Sequence, residues 1–383
     1  MKKIVIAIAS FKGSATSMIA SLAACRGVLE VYPEAKVVCV PIADGGEGTV
    51  DAFVTAYEGG NAKGEYVRKD VTGPEFTPVT AKYYILADKT TAIIELAQAS
   101  GLYLSKNRIV GQATTLGTGE LIADAVNHGC KKIILGLGGS ATNDGGIGAL
   151  TAMGIRFTDK NGAQVRPCGD SLSEITDIDT SHVSEKIRQC EIVLACDVTN
   201  TLCGYNGASF VYGPQKGATP EDVKRLDNNL AQFARLIESV TGRDVMTRQS
   251  GGAAGGIAAG LMGFFDVKVS SGIKLLLDHA GFDKMINGAD FIITGEGRFD
   301  DQSVNGKAVC GICDYARNAR VPVIVVAGEL ATGYTRAAEK LGITAAFSVS
   351  HAAKPFSEVI DQTADNINDT VMNICTVMKK FSK

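Results

Sequence analysis

Residues 131–148, KKIILGLGGSATNDGGIG, constrain the fold more than any other stretch of this chain. Two lysines lead into a short apolar run at 133–137, which reads as a buried strand. The run then gives way to glycine, serine, threonine, asparagine and aspartate. Gly138, Gly139, Gly145 and Gly146 allow positive φ and a close approach of backbone to a ligand. Ser140, Thr142, Asn143 and Asp144 add hydroxyl, amide and carboxylate groups to that bare backbone. A plain surface turn needs one or two glycines, whereas this loop places four around a Ser-Ala-Thr-Asn-Asp core. Open α/β sheets bind ligands where strands end in loops of this kind.

The same grammar recurs along the chain. Residues 3–9 read as a strand followed by the polar SFKGSATS. Thr16 or Ser17 then caps a helix whose apolar positions Met18, Leu22, Cys25 and Leu29 recur at three-to-four spacing. Residues 36–42 form a second strand ending in ADGGEGT, so the chain opens as a βαβ unit. From about residue 66, TGPEFTPVTAKYYI and TTAIIELAQASG read as strands with little helix between them. GTGELIADAVNHG reads as a helix stopped by Gly129. EIVLACDVTN and ASFVYGPQKG read as further strands that end in polar loops. TPEDVKRLDNNLAQFARLIESV is the clearest helix: Thr219 caps it, Pro220 takes its first position and acids fill its first turn. Val223, Leu226, Leu230, Phe233 and Ile237 give it one core face. The stretch GGAAGGIAAG (251–260) fits either ligand contact or close packing of small residues. Near Gly288 the α/β texture returns with ADFIITGEGRFD, VPVIVVAGE and TAAFSVS, and a last helix carries Asn366, Ile367 and Val371. The simplest architecture is a parallel-sheet domain built from both chain ends, 1–65 and 286–383. A mixed α/β domain at 66–285 is inserted into it.

A length of 383 residues suits about two domains. The net charge of −3 offers no basic face for nucleic acid. The lysine-led apolar run at the start is too short for a signal peptide and reads as the first strand. No apolar stretch has the length of a membrane span, and a cytoplasmic protein is expected. The ten cysteines are mostly singletons among apolar neighbours, as buried thiols of a reducing compartment are. Cys310 and Cys313 form one C-x-x-C on a helix, with no second pair or nearby histidine to complete a zinc site. The four histidines show no metal-ligand spacing, so chemistry centred on histidine is not expected.

Loops that follow the strands of a parallel sheet share one edge. SFKGS, ADGGEGT and TGEGRFD should therefore converge in the first domain, and GGSATNDGG, CDVTN and GPQKG in the inserted one. If the two edges face each other, a cleft between the domains collects Lys12, Ser14, Asp44, Glu47, Asn143, Asp144, Asp197, Lys216, Glu296 and Arg298. Phosphoryl transfer suits such a set, because it relies on positioning and charge stabilisation rather than covalent catalysis. Carboxylates can hold magnesium, cations offset charge on the transferred group, and glycine amides cradle phosphates. Each member also has a plainer reading: Lys12 and Lys216 as solvated lysines, Arg298 as a salt-bridge partner of Glu296 and Asp300, Asp197 as a turn cap. A rival motif is present too. Gly136-x-Gly138-x-x-Ala141, with Asp159 about twenty residues on, matches the dinucleotide fingerprint of a dehydrogenase. Against it, the loop continues into Thr-Asn-Asp-Gly-Gly rather than an apolar helix face, and Asp144 would repel a pyrophosphate unless a metal lay between. No Walker sequence occurs, which excludes an ordinary P-loop kinase.

In series, SFKGS, PIADGGEGTVDA, ELAQASGL, TLGTGELI, ILGLGGSATNDGG, CDVTNTLCG, GPQKGAT, GAAGG and TGEGRFDDQ resemble the type I glycerate kinases. The resemblance runs from about residue 3 to 330 and weakens after that. It implies ATP-dependent phosphorylation of D-glycerate, usually to 2-phosphoglycerate, with magnesium. It also implies a flavodoxin-like domain paired with an inserted domain likened to restriction enzymes. Under that reading Asp197 or Asp44 orients or deprotonates the attacking hydroxyl, and Lys12 assists catalysis. Ser14, Asn143, Asp144, Lys216 and Arg298 bind substrate. Gly138, Gly139, Ser140, Thr142, Glu296 and Gly297 bind nucleotide, and Asp144 and Asp197 hold the metal. The chain departs from the family pattern at Ile8-Ala9, where Pro-Asp is usual, and at Thr201, where proline is usual. It departs also around Arg108-Ile109-Val110, in place of Arg-Asn-Pro, and at SVSHAAKP (348–355). The lost aspartate at Ala9 motivates a second hypothesis, a family member that binds its ligand without turnover. The expected partner is a small-molecule substrate, and the sequence leaves monomer or homo-oligomer open.

Overall fold

Thirteen strands are seen among the described residues of the computed structural model, which are 2–11, 13–40, 42, 50, 53–54, 64–304, 308–352 and 356–381. They are β1 (Lys3–Ile8), β2 (Lys36–Cys39), β3 (Glu65–Thr72), β4 (Pro78–Ile85), β5 (Thr91–Glu95), β6 (Lys132–Gly136) and β7 (Arg156–Thr158). β8 (Asp177–Asp179), β9 (Glu191–Ala195), β10 (Val267–Ser270), β11 (Phe291–Phe299), β12 (Val323–Leu330) and β13 (Ala345–Ser348) follow. Contacts divide the chain into two compact units. One comprises Met1–Asp44, Asp51–Gly59 and Gly272–Lys383, and the other Gly45–Val50 and Gly60–Ser271.

The first unit has a five-stranded sheet in the order β2-β1-β11-β12-β13, with every pairing parallel. Counted within the unit, this is the order 2-1-3-4-5 of flavodoxin-like folds. Five of the six β1 residues are buried, as expected for a parallel strand covered on both faces. Its core joins Ile4, Ile6 and Ile8 to Ile293 and Val326, and to Ile367 and Val371 of the last helix, Thr363–Phe381. The helix Ser17–Val31 is capped by Thr16, whose side chain accepts from the Ile19 amide. Its core face is not the expected one. Met18, Leu22 and Leu29 are exposed, Leu22 by 57%, and the buried positions are Ala20, Ser21, Ala23, Ala24, Gly27 and Val28. The cause is proximity to the last helix, since a Cβ on Gly27 would lie 2.5 Å from the Asn368 carbonyl. Only small side chains fit between helices packed that closely.

The second unit carries a six-stranded sheet, β10-β9-β6-β5-β4-β3. β5, β6, β9 and β10 run parallel, while β3 and β4 join antiparallel at one side. The helix Pro220–Thr241 forms as its sequence dictates, with a Thr219–Asp222 capping box and Gly242 at φ +72 to end it. Val223, Leu226, Leu230, Phe233 and Ile237 are all buried, each contributing about 2 kcal/mol of transfer free energy.

Three expectations about elements change. The apolar part of ASFVYGPQKG is the helix Ala208–Tyr212 and the turn Pro214–Lys216, with Ala208, Ser209 and Lys216 buried. β11 runs on through TGEGRF, since β12 supplies parallel partners as far as Phe299↔Leu330. The return to the first unit comes at Gly272 rather than 286. The helices Gly272–Ala280 and Phe282–Ile286 belong with the first unit because Phe282 is fully buried beside Tyr315, ring centroids 5.8 Å apart, and Ile273 packs on Gly311.

Candidate functional site

In the second unit the parallel strands end in one row, Glu95, Gly136, Ala195 and Ser270, each in register with the next. Everything beyond that row lies at the carboxyl edge. The glycine loop leaves β6 there and reaches the helix Ile147–Ala152 only after ten residues. Gly139, Gly145 and Gly146 adopt positive φ. One side of the loop is stitched to the segment after β5, through the Ala141 amide to the Ser100 carbonyl (2.9 Å) and the Leu102 amide to the Gly139 carbonyl (2.8 Å). The other side lies on the 251–260 stretch. The Gly145 amide donates to Gly255 at 3.0 Å, and a Cβ on Gly255 would run into the Thr142 carbonyl. That stretch also accepts the loop after β9, through the Gly252 amide to the Asn200 carbonyl (3.0 Å). Of its two open readings, the described geometry shows the packing role.

Burial separates the loop into two faces. Gly138 is half-buried and Gly139 exposed, whereas Ser140, Thr142, Asn143 and Asp144 are buried. Thr142 and Asp144 are fully inaccessible. The Asn143 amide nitrogen donates to Ser209 Oγ at 2.8 Å, and its Oδ1 has no hydrogen-bond partner.

Asp144 is fully buried and hydrogen-bonded within the protein. Its Oδ2 accepts from the Thr115 amide (2.8 Å), the Thr115 hydroxyl (2.8 Å) and the Gly148 amide (3.4 Å), and Oδ1 accepts from the Gly146 amide (3.1 Å). The carboxylate thus sits at the N-termini of two helices, Leu116–Asn127 and Ile147–Ala152, and fills the role of a cap for both. Burial raises its pKa, and the four donors oppose that shift. Both oxygens expected to meet substrate or metal accept hydrogen bonds from within the protein.

Lys216 is likewise buried rather than a solvated lysine. It is 3% exposed, and its Nζ donates to Ser140 Oγ and to the Thr142 carbonyl, both at 2.7 Å. Burial pulls its pKa down to about 7, with the Asp144 carboxylate acting the other way.

Asp197 is half-buried and lies two residues beyond Ala195, the last residue of β9, which is in register with Gly136 at the end of β6. The loop that carries it is held by Asn200, which accepts from Tyr212 Oη (2.7 Å) and donates to the Asn206 carbonyl (2.8 Å). Among the described residues no group of three or more His, Cys, Asp or Glu side chains could hold a metal ion. Magnesium needs no such cage, because it keeps several waters and takes one or two carboxylates plus phosphate oxygens. Asp197, nominated by sequence for a metal, is one half-buried carboxylate at this edge. Sequence reasoning missed Glu95, a 3%-exposed carboxylate in the end row that accepts from the Val50 amide (2.6 Å) and from Gln98 (3.3 Å). An acid closing the otherwise apolar run TTAIIE was the available signal.

The first unit brings its own polar groups to the carboxyl edge of its sheet. Ser14 is half-buried and spends its hydroxyl on the Phe11 carbonyl at 3.2 Å. Glu296 and Gly297 are half-buried within β11, where Glu296 accepts from Ser303 Oγ at 2.6 Å. Arg298 is exposed and pairs with Asp300 at 3.3 Å, as its plainer reading has it, and with Glu329 of β12 at 3.7 Å in place of Glu296. Lys12, Asp44 and Glu47 lie outside the described residues. In the C-x-x-C, Cys313 is buried on the helix Ala308–Ala319, and burial pushes its thiol up to about 12.

The dinucleotide motif is not realised. A fingerprint loop opens directly into a helix, whereas here ten loop residues intervene. Asp159 is half-buried and uses its carboxylate on its own turn, accepting from the Asn161 amide (2.8 Å) and the Ala163 amide (2.9 Å).

Comparison with known proteins agrees along the whole chain. A family model described as the glycerate kinase family matches residues 4–379. A glycerate kinase of Halalkalibacterium halodurans is 43% identical, with 98% of each chain covered. A glycerate 2-kinase of Escherichia coli K12 is 41% identical, again with 98% of each covered. A crystal structure assigned to glycerate kinase 2 of Salmonella typhimurium LT2 is similar at a TM-score of 0.87 and 39% identity, covering 99% of this chain and 98% of its own.

Proposed function

The chain belongs to the glycerate kinase family, and on that premise we propose that it transfers the terminal phosphoryl group of ATP to D-glycerate, giving 2-phosphoglycerate. The observation that carries this reading is the division of the glycine loop into a buried face and an accessible stretch at Gly138 and Gly139, at the carboxyl edge where the loop carrying Asp197 also begins. Amides on a preformed loop can receive phosphate oxygens without reorganising when the ligand arrives. Asp197 orients the attacking glycerate hydroxyl, or accepts its proton as the new P–O bond forms. It is also the described carboxylate at this edge that suits a magnesium ion, which would supply charge neutralisation to the phosphates. Ser140, Thr142, Asn143, Asp144 and Lys216 keep the loop in shape. Glu296, Gly297 and Arg298 supply polar and cationic groups at the edge of the other sheet.

The test is a coupled assay for ADP release with D-glycerate, L-glycerate and related hydroxy acids. An enolase-coupled arm reads the 2-phospho product directly. ATP- and magnesium-dependent turnover of D-glycerate is expected. A folded protein that releases no ADP with any hydroxy acid would sink the proposal. Binding of glycerate without turnover would favour instead the non-catalytic reading raised by Ala9, which is buried in this fold and donates its amide to Gly295 at 2.9 Å.

A further inference from the structure

Lys216 lies under the glycine loop, on the side away from solvent. It ends the turn Pro214–Lys216, and Gly217 follows at φ +99. Its two acceptors, Ser140 Oγ and the Thr142 carbonyl, flank Ala141, so one ammonium spans the bend of the loop. The Ala141 amide is itself fixed by Ser100. Beyond the bend stands Asp144, fully buried and near enough to favour the charged form of the lysine. The cation and the carboxylate are thus both enclosed, and both are satisfied by the loop and its supports.

An anionic ligand at Gly138 and Gly139 would meet a loop with a buried negative charge a few residues away. That charge is tolerable to an anion only if it is balanced. We infer that Lys216 is a positioning residue: it braces the bend at Ser140 and Thr142 and, in its protonated form, offsets the Asp144 carboxylate, and so sets the loop's affinity for an anionic ligand that it never touches. This rests on the reading that the loop binds the phosphate-bearing ligand. It replaces the direct contact expected from sequence with action through the loop.

Lys216→Met keeps the length of the side chain and removes its charge and donors. ADP is the binding probe, read by calorimetry, with steady-state kinetics alongside. The Kd for ADP and the KM for ATP rise by about tenfold or more. The kcat stays within about threefold, because the lysine touches no reacting atom. Hydrogen exchange of the peptide spanning 138–144 is faster in the variant with no ligand present. In Lys216→Ala, ethylammonium restores ADP affinity and 1-propanol of similar size does not, which separates charge from space filling. Wild-type protein supplies an arm that needs no variant: acetic anhydride leaves Lys216 unmodified with or without ADP. Reaction of Lys216 in the free protein, with protection by ADP, would make it a ligand contact and overturn the inference. Unchanged exchange and unchanged ADP affinity in Lys216→Met would overturn it as well. If wild-type protein binds no ADP while exchange at 138–144 still quickens in the variant, the brace stands and the nucleotide reading of the loop fails.

Discussion

Asp144→Asn distinguishes a buried double cap from a metal ligand. In the native site Oδ2 takes three donors and Oδ1 takes one. An asparagine can aim its oxygen at the three, and its NH2 group then faces the Gly146 amide, donor against donor. The other three bonds lose their charge assistance, about 1 kcal/mol each, and an unsatisfied buried donor adds about 1–3 kcal/mol. Lys216 also loses its nearby counter-charge. The total is about 4–6 kcal/mol. In a unit of about 200 residues, 1 kcal/mol shifts Tm by about 2–4 °C, so a drop of roughly 8–24 °C follows. Scanning calorimetry of wild type and variant, with and without magnesium chloride, measures it. The drop should be the same in both conditions. A variant that melts within a degree or two of wild type, with its magnesium dependence lost, would refute the capping assignment and return Asp144 to the metal.

Further expectations concern a pH slope, a helix contact and the acidic group at the loops. Lys216 gives up its proton near pH 7 when folded and near 10.5 when unfolded, so the unfolded chain binds more protons in between and stability rises with pH across that window. From pH 7 to 8.5 the gain is about 2 kcal/mol in urea titrations and vanishes in Lys216→Met, whereas below pH 7 both forms are protonated and the slope disappears. Gly27→Val forces apart the helices Ser17–Val31 and Thr363–Phe381 and should destabilise the protein by about 2 kcal/mol or more, while Leu22→Gln on the exposed face stays within about 0.5 kcal/mol; chemical denaturation compares the two. Asp197→Asn should lower kcat by about 100-fold or more with Tm unchanged within about 2 °C, and retention of full activity would remove Asp197 from the mechanism.

The pattern of short apolar runs and polar glycine loops made the parallel sheets legible, because a strand buried on both faces has to be apolar throughout. The helix Pro220–Thr241 was legible to its ends, since cap, proline, acids and core face all agree. What misled were features decided by neighbours. Leu22 is more apolar than Ala24, yet the closeness of the last helix at Gly27 gives the core to the smaller residue. β11 extends through Glu296 and Arg298 because β12 is there to pair with it. In the candidate site, sequence singled out the glycine loop but not which of its polar groups are buried. Asp144 and Lys216 look like ligand groups in one dimension, and only the positions of Thr115, Gly146 and Ser140 reveal that they are engaged internally. Glu95 was overlooked because one acid at the end of an apolar strand resembles an ordinary boundary.

The order of the first sheet bears on how the chain is made. β1 lies between β2 and β11, and the Lys3 carbonyl receives the Asp290 amide across nearly the whole length of the second unit. During vectorial synthesis the opening βαβ segment leaves the ribosome with one side of β1 unpaired, and β11 arrives hundreds of residues later. The second unit, whose sheet closes at β10, is complete before that partner exists. The polar groups at Ser14 and Glu296 therefore reach a common sheet edge only late in translation. A nascent chain stopped before residue 291 would hold a finished glycine loop and an unfinished first sheet.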